Sequence, residues 1–262
     1  MTIGERLLDQ GLRLPPGHQL ISLADRPELR GPLGAFNVAV WPEFMLHDPV
    51  ASTLWDHLFD DFAGFQACLL DSHDEIVAGL NSAPLAWDGT DDDLPHGWDD
   101  QFRRSVAGLE GGVSPNTLGA LQIVVGPANQ GSGYSAVMLG AMRANARLRG
   151  FHGVIACVRP TRKVDVPFEP IASYAARTRA DGLPEDPWLR VHVRVGGRIV
   201  HGVPDSMTIA GTIAEWREWT GLEFPASGSY VPDGAAAPVQ IDLAADRGVY
   251  HDPNVWVVHG LD

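Results

Sequence analysis

Cysteine is nearly absent: Cys68 and Cys157 are all that 262 residues contain, each inside an apolar stretch. That argues against a disulfide framework and suits a reducing compartment. Bases are scarce too, with 19 Lys and Arg against 33 Asp and Glu and a net charge of −14. Such a surface argues against nucleic acid or an anionic membrane as partner. No apolar run approaches the ~20 residues of a spanning helix, and Met1 to Leu20 is polar and mixed, unlike a leader. No His/Cys/Asp group has metal-ligand spacing, and no G-x-S-x-G elbow exists. The expectation is a cytoplasmic protein with no metal, no membrane partner and no nucleic-acid partner.

What remains is an ordinary globular composition, 45% hydrophobic and 20% charged, long enough for a large core. His18 to Leu23 reads as a first strand, and Pro42 to Phe62 has helical spacing with Asp48-Pro49 as a helix start. Phe65 to Asp71 and Glu75 to Trp87 read as strands joined by a turn at 72–74. An acidic loop, Asp88 to Asp93, precedes a polar helix from Gly97 to Leu109. His152 to Val158 is a buried strand. Residues 160–185 lack clean periodicity and read as an extended loop or insertion. A helix starts at Asp186-Pro187 and stops at Gly196-Gly197. Strand follows at Arg198 to Val203 and Met207 to Ile209, then a short helix from Ile213 to Gly221. Within an elaborated part, 210–254, the prolines read as loop, and Val255 to His259 is the last strand. Strands paired first, then strand, helix and strand in series, imply one α/β domain over 1–262: a mixed sheet with helices on both faces.

The segment with the most chemistry is Ala120 to Ser135, an apolar strand run into a glycine-rich turn, followed by a helix through Arg149. Gly131 and Gly133 suit positive φ and close approach of peptide N–H groups to an anion. The helix N-terminus adds unpaired N–H groups and partial positive charge, so the turn reads as a diphosphate cradle. A Walker A loop is excluded, because Ser132 and Gly133 stand where Lys and Ser/Thr should follow Gly131. Gly131-x-Gly133-x-x-Ala136 also matches a dinucleotide fingerprint, which keeps an NADPH-dependent oxidoreductase open as an alternative. Arg143, Arg147 and Arg149 on the helix, and Arg159, Arg162 and Lys163 beyond the next strand, concentrate positive charge nearby.

Val125-x-Pro127-x-x-Gln130-x-x-Gly133-x-Ser135 resembles the acetyl-CoA signature of the GNAT superfamily of N-acetyltransferases, V-x-P-x-x-[Q/R]-x-x-G-x-[G/A], with Ser135 in place of the small last residue. The element order of residues 65 to 200 resembles that family as well. The resemblance implies a mixed, mostly antiparallel sheet of about seven strands, with helices on both faces. It implies acetyl-CoA or another acyl-CoA as cofactor, with the backbone of Ile123, Val124 and Val125 pairing the pantetheine arm where the central strand splays from its neighbour. Gln130, Gly131, Ser132, Gly133, Tyr134 and Ser135 would hold the diphosphate. Activity would be transfer of the acyl group to an amine of a small molecule or peptide. Homodimer formation stays open, as does a CoA-binding module acting as sensor.

Three positions depart from the family pattern. His192 stands where relatives place a Tyr acid; imidazole could supply or accept a proton there. The strand that carries a Glu base in some relatives offers only Gln122, which cannot be a base and would orient water or a carbonyl. Arg159-Pro160-Thr161 replaces an Asn that contacts the cofactor, making Arg159 the substitute candidate. Asn81, Trp87, Tyr174 and Trp188 are the acceptor-binding candidates, with Glu169 and His259 beside them, chosen from strand ends and loops. The base is unassigned.

Overall fold

The computed structural model describes residues 1–261, and one continuous sheet carries all nine of its strands in the order β1-β2-β3-β4-β5-β9-β8-β7, with β6 on the other edge of β9. These are β1 (Gln19–Ser22), β2 (Ala67–Leu70), β3 (Ile76–Leu85), β4 (Thr117–Val125), β5 (Gly153–Val158), β6 (Arg198–Gly211), β7 (Gly228–Tyr230), β8 (Val239–Asp242) and β9 (Arg247–Gly260). Every pairing is antiparallel except β4 with β5. The expected mixed α/β sheet is present, with nine strands rather than about seven. The additions are β7 and β8, and β9 begins at Arg247 rather than Val255. The two stretches read as strands at 198–203 and 207–209 form one strand, β6, with two register irregularities.

Helices lie on both faces. α1 (Ile3–Asp9), α5 (Tyr134–Leu148), α6 (Ile171–Ala175) and α7 (Pro187–Arg194) cover one; α2 (Arg30–Val38), α3 (Pro49–Asp60), α4 (Trp98–Glu110) and α8 (Ile213–Thr220) cover the other. Alternation of side chains along the strands feeds each layer. Leu118, Ile123, Val125 and Val154 pack with Met138, Ala141 and Met142 of α5. Leu121, Ile155, Cys157 and Trp256 pack with Trp98 and Phe102 of α4. α3 starts at the expected Asp48-Pro49 pair, whose Asp48 carboxylate accepts from Ala51 N–H at 2.7 Å. α7 starts in the same way at Asp186, which accepts from Trp188 and Leu189 N–H. The 160–185 stretch holds α6 and an isolated bridge between Thr178 and Pro184.

Two features of β4 position the site. Asn81 of β3 lies opposite Gln122 but Ser82 opposite Ala120, so Leu121 is an extra, bulged residue. Parallel pairing of β4 with β5 runs from Thr117/Gly153 only to Ala120/Ala156. Past that level both strands continue, to Val125 and Val158, without pairing to each other. A wedge opens between them at their C-terminal ends.

Candidate acyl-transfer site

The parted strands lead to the turn singled out in the sequence. Gly131 and Gly133 both take φ of +81°, and a Cβ built on either meets no atom within 4 Å. The space above them is open, and a branched side chain would fill it. Gly133 is the N-cap of α5 and carries no side-chain cap. Ala136 and Val137 N–H groups turn back to the Gly133 carbonyl, while those of Gly131, Gly133, Tyr134 and Ser135 have no acceptor among the described residues. Four free donors at a helix N-terminus form an anion cradle. Gln130 and Ser132 are exposed on the rim. Tyr134 is held aside: its hydroxyl lies 2.9 Å from His18 Nε2, and His18 Nδ1 lies 3.0 Å from the Pro16 carbonyl. With Nδ1–H donating to Pro16, Nε2 accepts from the Tyr134 hydroxyl, one consistent tautomer. Along the outer face of α5 a cleft of about 390 Å³ runs past Ala136 and Gly140 to Arg143 and Arg147, with Arg13 opposite. Among the described residues no carboxylate lines it, in a chain of net charge −14.

Ile123 and Val125 are half-buried and face α5, as a pantetheine-lining role requires, whereas Val124 is buried toward α2. Arg159 is spent internally. Its guanidinium donates to Asp252 at 2.9 Å and to the Gly234 carbonyl at 2.7 Å, and lies 5.7 Å from the Trp41 ring centroid. Arg159 is therefore not free to meet an anion at the turn, where the free donors are backbone N–H groups.

His192 and His259, 67 residues apart, meet on the α7 side at 2.9 Å, Nδ1 to Nε2. Both are fully buried, and His192 also takes the edge of the Trp188 ring at 4.3 Å. Burial pushes His192 down to about 3 and His259 to about 4, so both are neutral near pH 7. Among the described residues His192 Nε2 and His259 Nδ1 have no partner. Trp188 and Tyr174 belong to the apolar layer over Ala156 and Val158, the Tyr174 hydroxyl donating to Asp186 at 2.9 Å.

The other face of the wedge is built from side chains. Gln122 lies opposite Asn81 in register, with its Oε1 buried and unpartnered. Asn81 accepts from Asn37 of α2 at 2.7 Å and donates to Gln66 at 3.2 Å. Trp87 does not join them: β3 carries it to the far end of the sheet, past the Leu85/Thr117 pair, where its indole donates to the Thr90 carbonyl. Sequence reasoning passed over the main anchor here. Trp98 Nε1 donates to the carbonyl of the bulged Leu121 at 2.8 Å, and Trp98 N–H to Ser206 Oγ at 2.8 Å. Ser206 Oγ sits 3.1 Å from Cys157 Sγ, beyond the last β4–β5 pair. Burial pushes the Cys157 thiol up to about 12, so it is no nucleophile. Also missed were Asp48 and Asp99, buried together beside Trp98. A Trp at the first position of a polar helix was the available signal. Among the described residues no group of three or more His, Cys, Asp or Glu could hold a metal.

No family model matches the chain. It is 32% identical over 291 aligned residues to arginine N-acetyltransferase avaD of Aspergillus versicolor, across 98% of this chain and 99% of that protein. Among solved structures, the loading GNATL domain of CurA from Lyngbya majuscula has a TM-score of 0.57 at 17% identity, covering 93% of this chain and 98% of that one. The GphF GNAT-like decarboxylase, solved in complex with isobutyryl-CoA, has a TM-score of 0.53 at 19% identity, over 90% and 97%. At that identity the two structures speak for the fold alone.

Proposed function

Because the chain belongs to the GNAT superfamily of N-acetyltransferases, we propose that it transfers an acetyl group from acetyl-CoA to an amine of a small cationic acceptor, arginine being the first to test. The observation that carries this is the wedge between β4 and β5, opening onto the Gly131–Gly133 cradle. An extended amide chain lying in the wedge would find a strand edge at 122–125 that is not paired to β5. A diphosphate at its mouth would meet the free N–H groups of Gly131, Gly133, Tyr134 and Ser135. The arginine-lined cleft along α5 suits the remaining phosphate of such a ligand. Acyl-CoA would supply the activated acyl group. This chain's residues hold it, keep water out and orient the amine.

In this reading Gln122 orients the acceptor or an ordered water, since it is the unpartnered polar group of β4 on the face away from α5. His192, neutral and walled in, acts as a brace for α7 against β9 rather than as a source of protons. The name of the 32% identical relative supports arginine as acceptor.

The test is calorimetric titration with acetyl-CoA, a longer acyl-CoA, NADPH and NADH, followed by thioester turnover with arginine, lysine and neutral amines. Binding of acetyl-CoA with turnover on arginine is expected. NADPH binding without CoA binding would return the turn to the oxidoreductase reading. CoA binding with no turnover on any amine would leave a sensor module.

A further inference from the structure

Trp98 ties α4 to both parted strands, to β4 through Leu121 and to β5 through Ser206 and Cys157. The residue after it is Asp99. Its carboxyl is 8% exposed; one oxygen accepts from Thr208 N–H at 3.2 Å, and the other, Oδ1, has no partner. Against it lies Asp48, 0% exposed, whose Oδ1 caps α3 and whose Oδ2 meets no donor but a proton shared with the Asp99 carboxyl. Neither makes a salt bridge.

The other two fully buried aspartates are saturated. Asp252 takes Arg159, Tyr250 and Asn254, and Asp186 takes three backbone N–H groups and Tyr174. Burying two carboxyls side by side without a cation costs stability unless a proton or a ligand neutralises them. The cost falls next to Trp98, whose indole reaches the bulged Leu121 of the wedge.

We propose that Asp48 and Asp99 form the counter-charge site for the acceptor's cationic end, a guanidinium, while the amine to be acylated points into the wedge. This rests on the reading that the chain acylates a cationic amine. A guanidinium brings a planar fork of donors to those two oxygens, Asp48 Oδ2 and Asp99 Oδ1. In its absence the pair holds a proton: burial and the neighbouring Asp48 charge push Asp99 up to about 7, against the weaker opposing pull of the Thr208 N–H and of exposed Arg103. Burial likewise raises Asp48, against the Ala51 N–H. Binding of the cation would expel that proton.

The experiment is calorimetry with arginine and with its uncharged urea isostere, near pH 7, in two buffers of unequal ionisation enthalpy. Wild type is compared with Asp48→Asn and Asp99→Asn. Asn caps a helix about as well as Asp and keeps an acceptor for Thr208 N–H, so both variants should fold. Wild type should prefer arginine to the isostere by ~10²-fold and release protons on binding it. Each variant should lose ~10-fold or more of arginine affinity, most of the preference and the proton release, with acetyl-CoA affinity unchanged. Unchanged arginine affinity and proton release in both variants, with a raised Tm, would overturn the proposal. So would a wild type that turns over other amines but binds no arginine. If no amine turns over yet arginine binds through both carboxyls, the acyl-transfer reading fails and the counter-charge site stands.

Discussion

On its α5 face the β4–β5 wedge presents backbone; on its α3–α4 face it presents buried side chains. The first is a cradle of free N–H groups and glycines, indifferent to protonation. The second is a set of amides and carboxyls whose unpartnered atoms want a specific complement. Each face also buries a pair of like ionisable groups, and burial drives both pairs toward neutrality from opposite sides. The imidazoles of His192 and His259 fall to about 3 and about 4, while the Asp99 carboxyl climbs to about 7. The pair on the α7 side is locked neutral across the physiological range. The pair beside Trp98 is poised within it, so only the second can trade a proton for a ligand.

The largest effect should come from breaking the backbone half. Gly133→Val places a branched side chain in the open space above the turn, at a φ that Val adopts only under strain. Acetyl-CoA affinity should fall ~10²-fold or more by calorimetry, about two charge-assisted hydrogen bonds, while unfolding stays cooperative. Unchanged affinity would make the turn purely structural.

His192→Ala comes next and weighs brace against acid. It opens a buried hole beside Trp188 and strands His259, so stability should drop by roughly 2 kcal/mol in a denaturant titration. Turnover per folded molecule should stay within about threefold; a ~10²-fold fall in kcat with the Tm intact would instead mark proton transfer.

Trp98→Phe should cost about 1 kcal/mol for the orphaned Leu121 carbonyl. It should raise KM for the amine more than KM for acetyl-CoA, which sharpens the division between the faces. Equal effects on both would dissolve it.

The smallest effect concerns pH. Asp99 binds its proton more tightly folded than unfolded, so stability without ligand should decline as pH rises from about 4 to about 7. The buried histidines bind protons less tightly folded, so stability should also fall as pH drops from about 6.5 toward 3. Between about 4 and 6.5 the two contributions oppose each other, so melting curves should show the histidine arm alone below about 4 and the carboxyl arm alone only above about 6.5. Asp99→Asn should abolish the decline above about 6.5 and steepen the rise of stability with pH between about 4 and 6.5, a change of a few degrees.

The cofactor half of this division was legible in the sequence because its parts are consecutive. Strand, glycine turn and helix read off residues 120 to 149, and the structure gives β4 and α5 there, with both glycines at positive φ. The acceptor half was not, because its parts meet only in three dimensions. Asp48 read as a helix cap, which it is, and Asp99 as one acid on a polar helix; 51 positions separate them. α1 was missed although Thr2 and Glu5 form a capping box that the T-x-x-E spacing announces. The first half of β9 escaped because Arg247 to Asn254 carries polar residues and Pro253. That proline sits at the irregularity between the Val203/Asn254 and Met207/Asp252 pairs, where a missing N–H disturbs the ladder least.

The bulge at Leu121 has a consequence for inheritance. Side chains on a strand alternate, so one supernumerary residue inverts the parity of everything after it. Because of Leu121, Gln122 shares a face with Asn81 while Ile123 and Val125 turn toward α5. Loss of that one codon would leave Gln122 opposite Asn81 and directly after Ala120, with Ile123 and Val125 still toward α5, whereas drawing Leu121 into the ladder would carry the amide to the α5 face and apolar side chains to the other. An in-frame deletion of three nucleotides would thus spare the division between the faces and remove only the bulged carbonyl on which Trp98 is anchored.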